Sequence, residues 1–200
     1  MESFAQPLSS GAARPGGRTA RTRERVLEAV TAILPEKGFD GLTVEAVAAR
    51  SGVHRTTVYR RWRDTGGLLA DAFDAAREMP WEPPDTGTLL GDLTEVNRQV
   101  VAALTERPSI AQALIAASFR SAVAATALRE FWEDRFARAG VVVSRAAERG
   151  EIGTDAGARE VLVAACAPVF YELVLMRAPV TDDLAERYAR AGAAVAAAGW

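Results

Sequence analysis

The residues best suited to chemistry in this chain lie in the segment HRTTVYRRW, from His54 to Trp62. Val58 and Trp62 stand four positions apart, so a helix would bury both on one face and expose the remaining side chains. Arginine can donate two hydrogen bonds to a guanine edge, and hydroxyl groups can bind phosphates. The segment is predicted to enter a DNA groove, and the alternative is a solvated arginine-rich face. Its outward residues are His54, Arg55, Thr56, Thr57, Tyr59, Arg60 and Arg61.

The distribution of charge favours a polyanionic partner for this part of the chain. The 200 residues have a formal net charge of −2 at pH 7. Residues 1–63 carry 11 basic and 6 acidic side chains, whereas residues 64–200 carry 13 and 20. A basic N-terminal third on an acidic body indicates that the first part meets a polyanion and the rest does something else. Random scatter of surface charge is the alternative.

Two short helices joined by a tight turn would position the arginine-rich segment. Thr43 precedes a short apolar pattern and is predicted to cap a helix by accepting a hydrogen bond from a backbone amide. Gly52 can adopt the positive φ that a tight turn requires. A longer amphipathic helix, from about Thr22 to a stop at Gly38, precedes both. This order is typical of a helix-turn-helix unit.

The whole chain is predicted to be all-α, because no stretch alternates with period two for long enough to form a sheet. Residues 1–18 are rich in Gly, Ser, Pro and Ala and are expected to form a disordered arm. A DNA-binding domain over 19–64, a connecting helix over 65–80 and a helical domain over 81–200 should follow. Helical patterns in the last domain span 88–106, 108–119, 122–149, 156–177 and 181–198. Pro168 is expected to kink the fourth of them.

The segment LTVEAVAARSGVHRTTVYRRW, followed by Leu68 and Leu69, resembles the DNA-binding domain of the TetR family of transcriptional repressors. The family pattern is a threonine, an apolar pair before the turn, Gly-Val, then threonine, an aliphatic residue, tyrosine and a later aromatic residue. This chain has each of them within residues 22–73. The remainder resembles the family's effector-binding and dimerisation domain only in length and number of helices.

The resemblance also implies roles for individual residues. His54 stands where the family often has serine, and both a helix cap and a DNA contact stay open for it. The family usually has a phosphate-binding lysine at the position of Thr65, so one ionic contact is expected to be missing. By the resemblance, the residues that contact phosphates are Thr43, Thr57, Tyr59 and Arg61. The residues that read bases are Arg55, Thr56 and Arg60.

Aromatic stripes in the acidic body are candidates for binding a small-molecule effector. The candidate residues are Phe131, Trp132, Phe170 and Tyr171. Such stripes are also the ordinary content of a helical core, so that alternative stays open. Glu172 lies within the apolar run VFYELVLM and is expected either to pair with an arginine on another helix or to face a ligand.

The last two helical patterns predict a homodimer interface. Residues 161–176 are apolar nearly all round, which a peripheral helix of a monomer would not tolerate. The final helix carries a stripe at spacings of four, three and four residues, formed by Leu184, Tyr188, Ala191 and Val195. Small residues at its middle permit close approach of two helices. A purely intramolecular core is the alternative.

Enzymatic function is not expected. There is no Gly-rich phosphate loop, no Cys–His pair in local register and no acidic metal cluster, so no cofactor or metal is predicted. The lone Cys166 is expected to be an inert thiol in a reducing compartment. No apolar stretch near residue 1 could serve as a signal peptide, which favours the cytoplasm.

Taken together, these features predict a homodimeric, ligand-responsive repressor that binds a palindromic operator. The alternative is a helical protein that binds a small molecule or a protein partner without DNA.

Overall fold

The computed structural model describes residues 16–199, and within this range the chain folds into helices with no strand. The first four helices are α1 (Gly16–Gly41), α2 (Val44–Ser51), α3 (Arg55–Trp62) and α4 (Thr65–Glu78). The others are α5 (Leu89–Thr105), α6 (Ile110–Ser118), α7 (Ala122–Ala139), α8 (Val141–Glu148), α9 (Ala158–Phe170) and α10 (Leu184–Ala198). The predicted all-α class with an N-terminal helix-turn-helix is confirmed.

The first helix begins earlier than the sequence pattern indicated. The predicted arm ended at residue 18, whereas α1 begins at Gly16, and residues 1–15 lie outside the described residues. The first turns of α1 are polar, so they carry no apolar period from which a helix start could be read. Near the other end, Gly38 has φ 69° and interrupts the helical backbone before Gly41.

Local capping signals explain the ends of the short helices. Thr43 Oγ1 accepts a hydrogen bond from the Ala46 amide at 3.0 Å, which confirms the predicted cap of α2. Gly52 ends α2 with φ 63°, in the left-handed region that glycine favours. Asp64 caps α4 by accepting a hydrogen bond from the Gly67 amide at 2.9 Å.

Two long predicted helices are divided in the structure. The pattern over 122–149 forms α7 and α8, which meet at Gly140, a residue of poor helix propensity. The pattern over 156–177 forms α9 and a π-helical segment, Tyr171–Leu175. Pro168 cannot donate a backbone hydrogen bond, and the wider π turn begins three residues after it. The expected disturbance therefore takes the form of a change in helix type.

The hydrophobic core is continuous from the helix-turn-helix unit into the body. Leu68 and Phe73 of α4 share one buried cluster with Leu114 of α6 and Ala124 of α7. A second cluster joins α5, α7, α8, α9 and α10. Fully buried Asn97 ties this cluster together, since its amide donates to backbone carbonyls of both α9 and α10 at 3.0 Å.

Within residues 16–199, no helix is both long and apolar enough to cross a membrane. The same residues contain no group of three or more His, Cys, Asp or Glu side chains that could hold a metal ion.

Candidate DNA-binding face and effector cavity

Helix α3 is anchored by the two residues that the sequence placed on its inner face. Val58 is fully buried and Trp62 is nearly so. The Trp62 indole Nε1 donates a hydrogen bond to the Asp71 carboxylate of α4 at 2.7 Å. Arg23 of α1 also donates to Asp71, at 2.7 Å. Because one carboxylate of α4 receives both donors, α3 is held in a defined orientation relative to α1 and α4.

The outer face of α3 collects the predicted DNA-contacting side chains on one surface. Thr57 is half-buried at its edge. The exposed members are His54, Arg55, Thr56, Tyr59, Arg60 and Arg61, with Thr43 exposed at the start of α2. The geometry fits a helix that lies in a major groove, where arginine and hydroxyl groups reach base edges and phosphates.

Glu45 of α2 organises part of this face, and sequence reasoning missed it. The Tyr59 hydroxyl donates to Glu45 at 3.1 Å, and the Arg55 Nε lies 3.6 Å from the same carboxylate oxygen. A backbone hydrogen bond at Glu45 and the Tyr59 hydroxyl lower the pKa of this carboxyl. Arg55 also lies over the Tyr59 ring, 5.4 Å from its centroid. Arg60, by contrast, has no ion-pair partner within residues 16–199.

Three neighbouring positions make contacts that the sequence did not reveal. His54 occupies the cap position of α3, yet its side chain contacts Thr56 Oγ1 at 2.9 Å and caps no backbone amide. Arg61 donates to the Thr19 carbonyl of α1 at 3.2 Å. Thr65 donates to the Leu42 carbonyl at 3.0 Å, so the site of the family's usual lysine is used to join α4 to the loop before α2.

A cavity of about 330 Å³ lies in the body between α4, α5, α6, α7 and α9. Its wall is almost entirely apolar and rich in aromatic rings, as is usual for sites of small organic ligands. The aromatic lining residues are Phe73, Trp81, Phe131, Trp132, Phe136 and Phe170. The Trp132 ring meets the Phe170 ring edge-on at 5.0 Å and the Phe131 ring at 5.2 Å.

Three of the four predicted effector residues line this cavity, and the fourth does not. Tyr171 begins the π-helical segment and is 52% exposed, so its proposed place in the cavity is corrected. The neighbouring Glu172 has a structural role, because it accepts a hydrogen bond from the Tyr188 hydroxyl at 2.7 Å and lies 4.0 Å from Arg187. The Glu172 carboxylate raises the pKa of Tyr188.

The polar groups on the cavity wall are few, and the sequence did not reveal most of them. Arg135 of α7 and Gln99 of α5 lie beside the aromatic lining. Gln99 accepts a hydrogen bond from the Trp81 indole at 2.8 Å. Cys166 also lines the cavity, and burial raises the pKa of its thiol to about 12. The thiol is thus neutral at physiological pH, as an inert cysteine should be.

The predicted dimer stripe on α10 is divided between the core and the surface. Leu184 is 2% exposed and packs against Leu104, Val169 and Leu173, so its assignment to an interface is corrected. The first turn of α10 lies against α5 and the end of α9, so an apolar side chain there joins their buried cluster. The other three residues of the stripe are more accessible: Tyr188 and Val195 are half-buried, and Ala191 is exposed.

Helix α4 connects the two candidate sites. Phe73 and Ala76 form part of the cavity wall, and the Phe73 ring lies 6.3 Å from the Phe131 ring. Two residues before Phe73, Asp71 holds Trp62 of α3. The exposed arginine-rich helix and the apolar cavity behind it are the features expected of a helix-turn-helix DNA-binding regulator.

Family comparisons agree with this class. The family described as "Bacterial regulatory proteins, tetR family" matches residues 26–72, and "Tetracyclin repressor-like, C-terminal domain" matches residues 83–191. The chain belongs to the TetR family of transcriptional regulators. These matches are to regulators of transcription rather than to enzymes.

Individual relatives support the same assignment. The HTH-type transcriptional regulator AqdR of Rhodococcus erythropolis is 34% identical over 149 residues, which cover 73% of this chain and 71% of AqdR. An uncharacterized HTH-type transcriptional regulator of Mycobacterium bovis is 31% identical and covers 80% of this chain and 81% of its own length. The crystal structure of the TetR family transcription regulator SCO0332 is 32% identical, with a TM-score of 0.65 over 84% of this chain and 94% of that chain.

Proposed function

We propose that this regulator is a ligand-responsive repressor that binds a palindromic operator as a homodimer in the cytoplasm, where bacterial DNA lies. The observation that carries the proposal is the position of α4. Phe73 of this helix lines the cavity, and Asp71, two residues before it, holds α3 through the Trp62 indole. A ligand that displaces Phe73 therefore acts on the helix that orients the DNA-binding face.

The proposed contacts on DNA follow from exposure and charge. Arg60 is exposed and has no ion-pair partner within 4.0 Å among the described residues, which suits a base-reading side chain. Arg55 would first have to leave Glu45, which already positions it. Base reading is assigned to Arg55, Thr56 and Arg60. Phosphate binding is assigned to Thr43, Thr57, Tyr59 and Arg61, with His54 at the rim.

Exposed apolar surface on α9, the π-helical segment and α10 supports a homodimer. Tyr171, Leu175 and Met176 are each more than half exposed. Ala191 is exposed on α10, which packs alongside α9. A monomer would leave these apolar side chains in water, and burial of such a patch against a second copy is favourable. Pairing through these helices would form a four-helix bundle.

Spacing between the two subunits gives a route for regulation. Two α3 helices must lie about 34–36 Å apart to enter successive major grooves on one face of DNA. A small rotation of each subunit, transmitted through α4, is enough to spoil this spacing. The proposed domains are a helix-turn-helix unit over 19–64, the connecting helix over 65–80 and a regulatory domain over 81–200.

Selection of bound fragments from random DNA tests the proposal. The expected result is a palindromic sequence whose half-sites lie one helical turn apart, which requires both DNA binding and dimer symmetry. Recovery of no enriched sequence would refute operator binding and favour a small-molecule or protein partner alone.

With an operator in hand, calorimetric titration of an effector should give weaker binding in the presence of the operator, because coupling is reciprocal. Equal affinity in both titrations would refute regulation through α4.

A further inference from the structure

Arg135 is a cation on the wall of an otherwise apolar cavity. It lies on α7, one helical turn after Phe131 and beside Phe136, and all three line the cavity. An apolar wall would be expected to carry a neutral residue at this position, because removing a charge from water is costly. The placement of a guanidinium here therefore needs a physical reason.

Two aromatic rings hold the Arg135 guanidinium in place. Its central carbon lies 4.5 Å from the centroid of the Trp81 ring and 5.2 Å from that of the Phe131 ring. Gln99 in turn receives the Trp81 indole hydrogen bond, which fixes the ring against α5. Stacking on a ring occupies the face of a guanidinium and leaves its N–H groups, which lie in the plane, able to donate.

No carboxylate forms an ion pair with this cation within the described residues. The adjacent Asp134 pairs with Arg138 at 2.5 Å, and no carboxylate lies within 4.0 Å of Arg135 in residues 16–199. No carbonyl in that range accepts a hydrogen bond from it. Burial lowers the pKa of Arg135, with Arg138 adding to the effect. The charge is therefore partly removed from water without an ion pair of its own, although Asp134 next to it in the chain opposes the lowering.

We propose that the effector is a hydrophobic aromatic acid whose ionised carboxylate pairs with Arg135 while its rings lie against the aromatic wall. This inference rests on the proposed effector cavity and names the chemical class that would fill it. A planar guanidinium matches a carboxylate in a bidentate arrangement, and such charge-assisted hydrogen bonds are strong in a site with little water. The six aromatic residues of the lining supply edges and faces for a fused-ring ligand.

The competing explanation is that Arg135 only braces Trp81. Bracing would stabilise the cavity for acidic and neutral ligands alike. An anion site would distinguish between two ligands of one shape that differ in charge. The two explanations therefore make different predictions for a matched pair of probes.

The test measures binding of 2-naphthoate and of neutral 2-naphthamide to the full chain by isothermal titration calorimetry. The wild-type protein should bind the carboxylate at least about tenfold more tightly than the amide. This difference in affinity is the contribution expected of one charge-assisted hydrogen bond. Arg135→Gln should abolish this preference, and Arg135→Lys should keep part of it because the cation remains. Arg129→Gln is the matched control, since Arg129 is exposed on the same helix and does not line the cavity.

The possible results separate this inference from the proposed function. Equal affinity of the wild type for the two probes, no binding of either, or an unchanged preference in Arg135→Gln would overturn the inference. Mobility shift of operator DNA, measured on the same samples without a probe, tests DNA binding independently. Release of operator by a neutral compound alone would overturn the acid class and leave ligand-responsive repression standing.

Discussion

Replacing Gly67 with alanine is predicted to displace the DNA-binding helix from its place on the body. Gly67 lies in the first turn of α4, directly after the turn that follows α3. A Cβ at this position would lie 2.0 Å from the Trp62 carbonyl oxygen and 3.0 Å from its carbon. Both are backbone atoms at the end of α3, so no side-chain rotation relieves the clash.

The geometry sets the size of the effect. Ordinary contact begins at 3.4 Å, so the new methyl group and the Trp62 carbonyl must separate by about 1.4 Å. That carbonyl accepts a hydrogen bond from the Asp64 amide at 2.7 Å, within a turn where Arg63 already has φ 64°. Overpacking costs about 1–3 kcal/mol, and the strained hydrogen bond about 1 kcal/mol. Alanine has a better helix propensity than glycine, which offsets about 1 kcal/mol of this cost. The free energy of unfolding should therefore fall by about 1–3 kcal/mol.

In Gly67→Ala, the affinity for operator DNA should also fall, because α3 is displaced. A displacement of about 1.4 Å exceeds the tolerance of the hydrogen bonds that α3 is proposed to make with bases, which span about 2.7–3.2 Å. We expect affinity for the selected operator to fall by at least about tenfold, the equivalent of one lost base contact. Affinity for random DNA should change less, because phosphate contacts depend on charge more than on register.

The adjacent Gly66 offers a matched control. A Cβ there would lie 3.1 Å from the Asp64 and Ser121 side-chain oxygens and 3.3 Å from Val123 Cβ, all of which are side-chain atoms. Gly66→Ala should leave the free energy of unfolding within about 0.5 kcal/mol of the wild type. Urea denaturation and fluorescence anisotropy with labelled operator give the two quantities. Equal behaviour of Gly66→Ala and Gly67→Ala in both assays would refute the reasoning.

Three further predictions concern the interface, the DNA-binding face and the core. Ala191→Arg should convert the proposed dimer to monomers in light scattering and abolish tight operator binding, and a monomeric wild type at micromolar concentration would contradict the proposed interface. Arg60→Ala should cost about 1–3 kcal/mol on the operator and relax base preference in a repeated selection. An equal loss on random DNA would instead make Arg60 a phosphate contact. Asn97→Leu should lower the free energy of unfolding in urea by about 2 kcal/mol, because two hydrogen bonds to α9 and α10 carbonyls are lost. Asn97→Asp should cost more, since a buried carboxylate faces those carbonyls, and the reverse order would argue against the hydrogen bonds.

Much of the helix-turn-helix unit could be predicted because its signals are local. The Thr43 cap, the Gly52 turn and the burial of Val58 and Trp62 all depend on residues within four positions of one another. Helix ends were less predictable. Gly140 divides a pattern that reads as one long helix, since apolar spacing persists across it while the helix does not.

The cavity was only partly predictable. An aromatic stripe has the same appearance in sequence whether it fills a core or lines a space. Phe131, Trp132 and Phe170 line the cavity because α4, α5, α6 and α9 stand around α7 at a distance that leaves room between them. Tyr171 was included because it adjoins Phe170, but the next position on a helix points about 100° away. Its side chain lies at the surface instead.

The sequence by itself determined the helical class, the DNA-binding unit and the outward face of α3. Each follows from hydrogen bonding and apolar spacing along a single helix, where partners are neighbours in the chain. Tertiary structure alone decided that Leu184 faces the core, that Glu45 holds Tyr59, and that Thr65 bonds to the Leu42 carbonyl. These contacts depend on which helices pack together and on the angle between them. Both are decided by packing between segments that are distant in the chain, so the apolar spacing within one helix does not predict them.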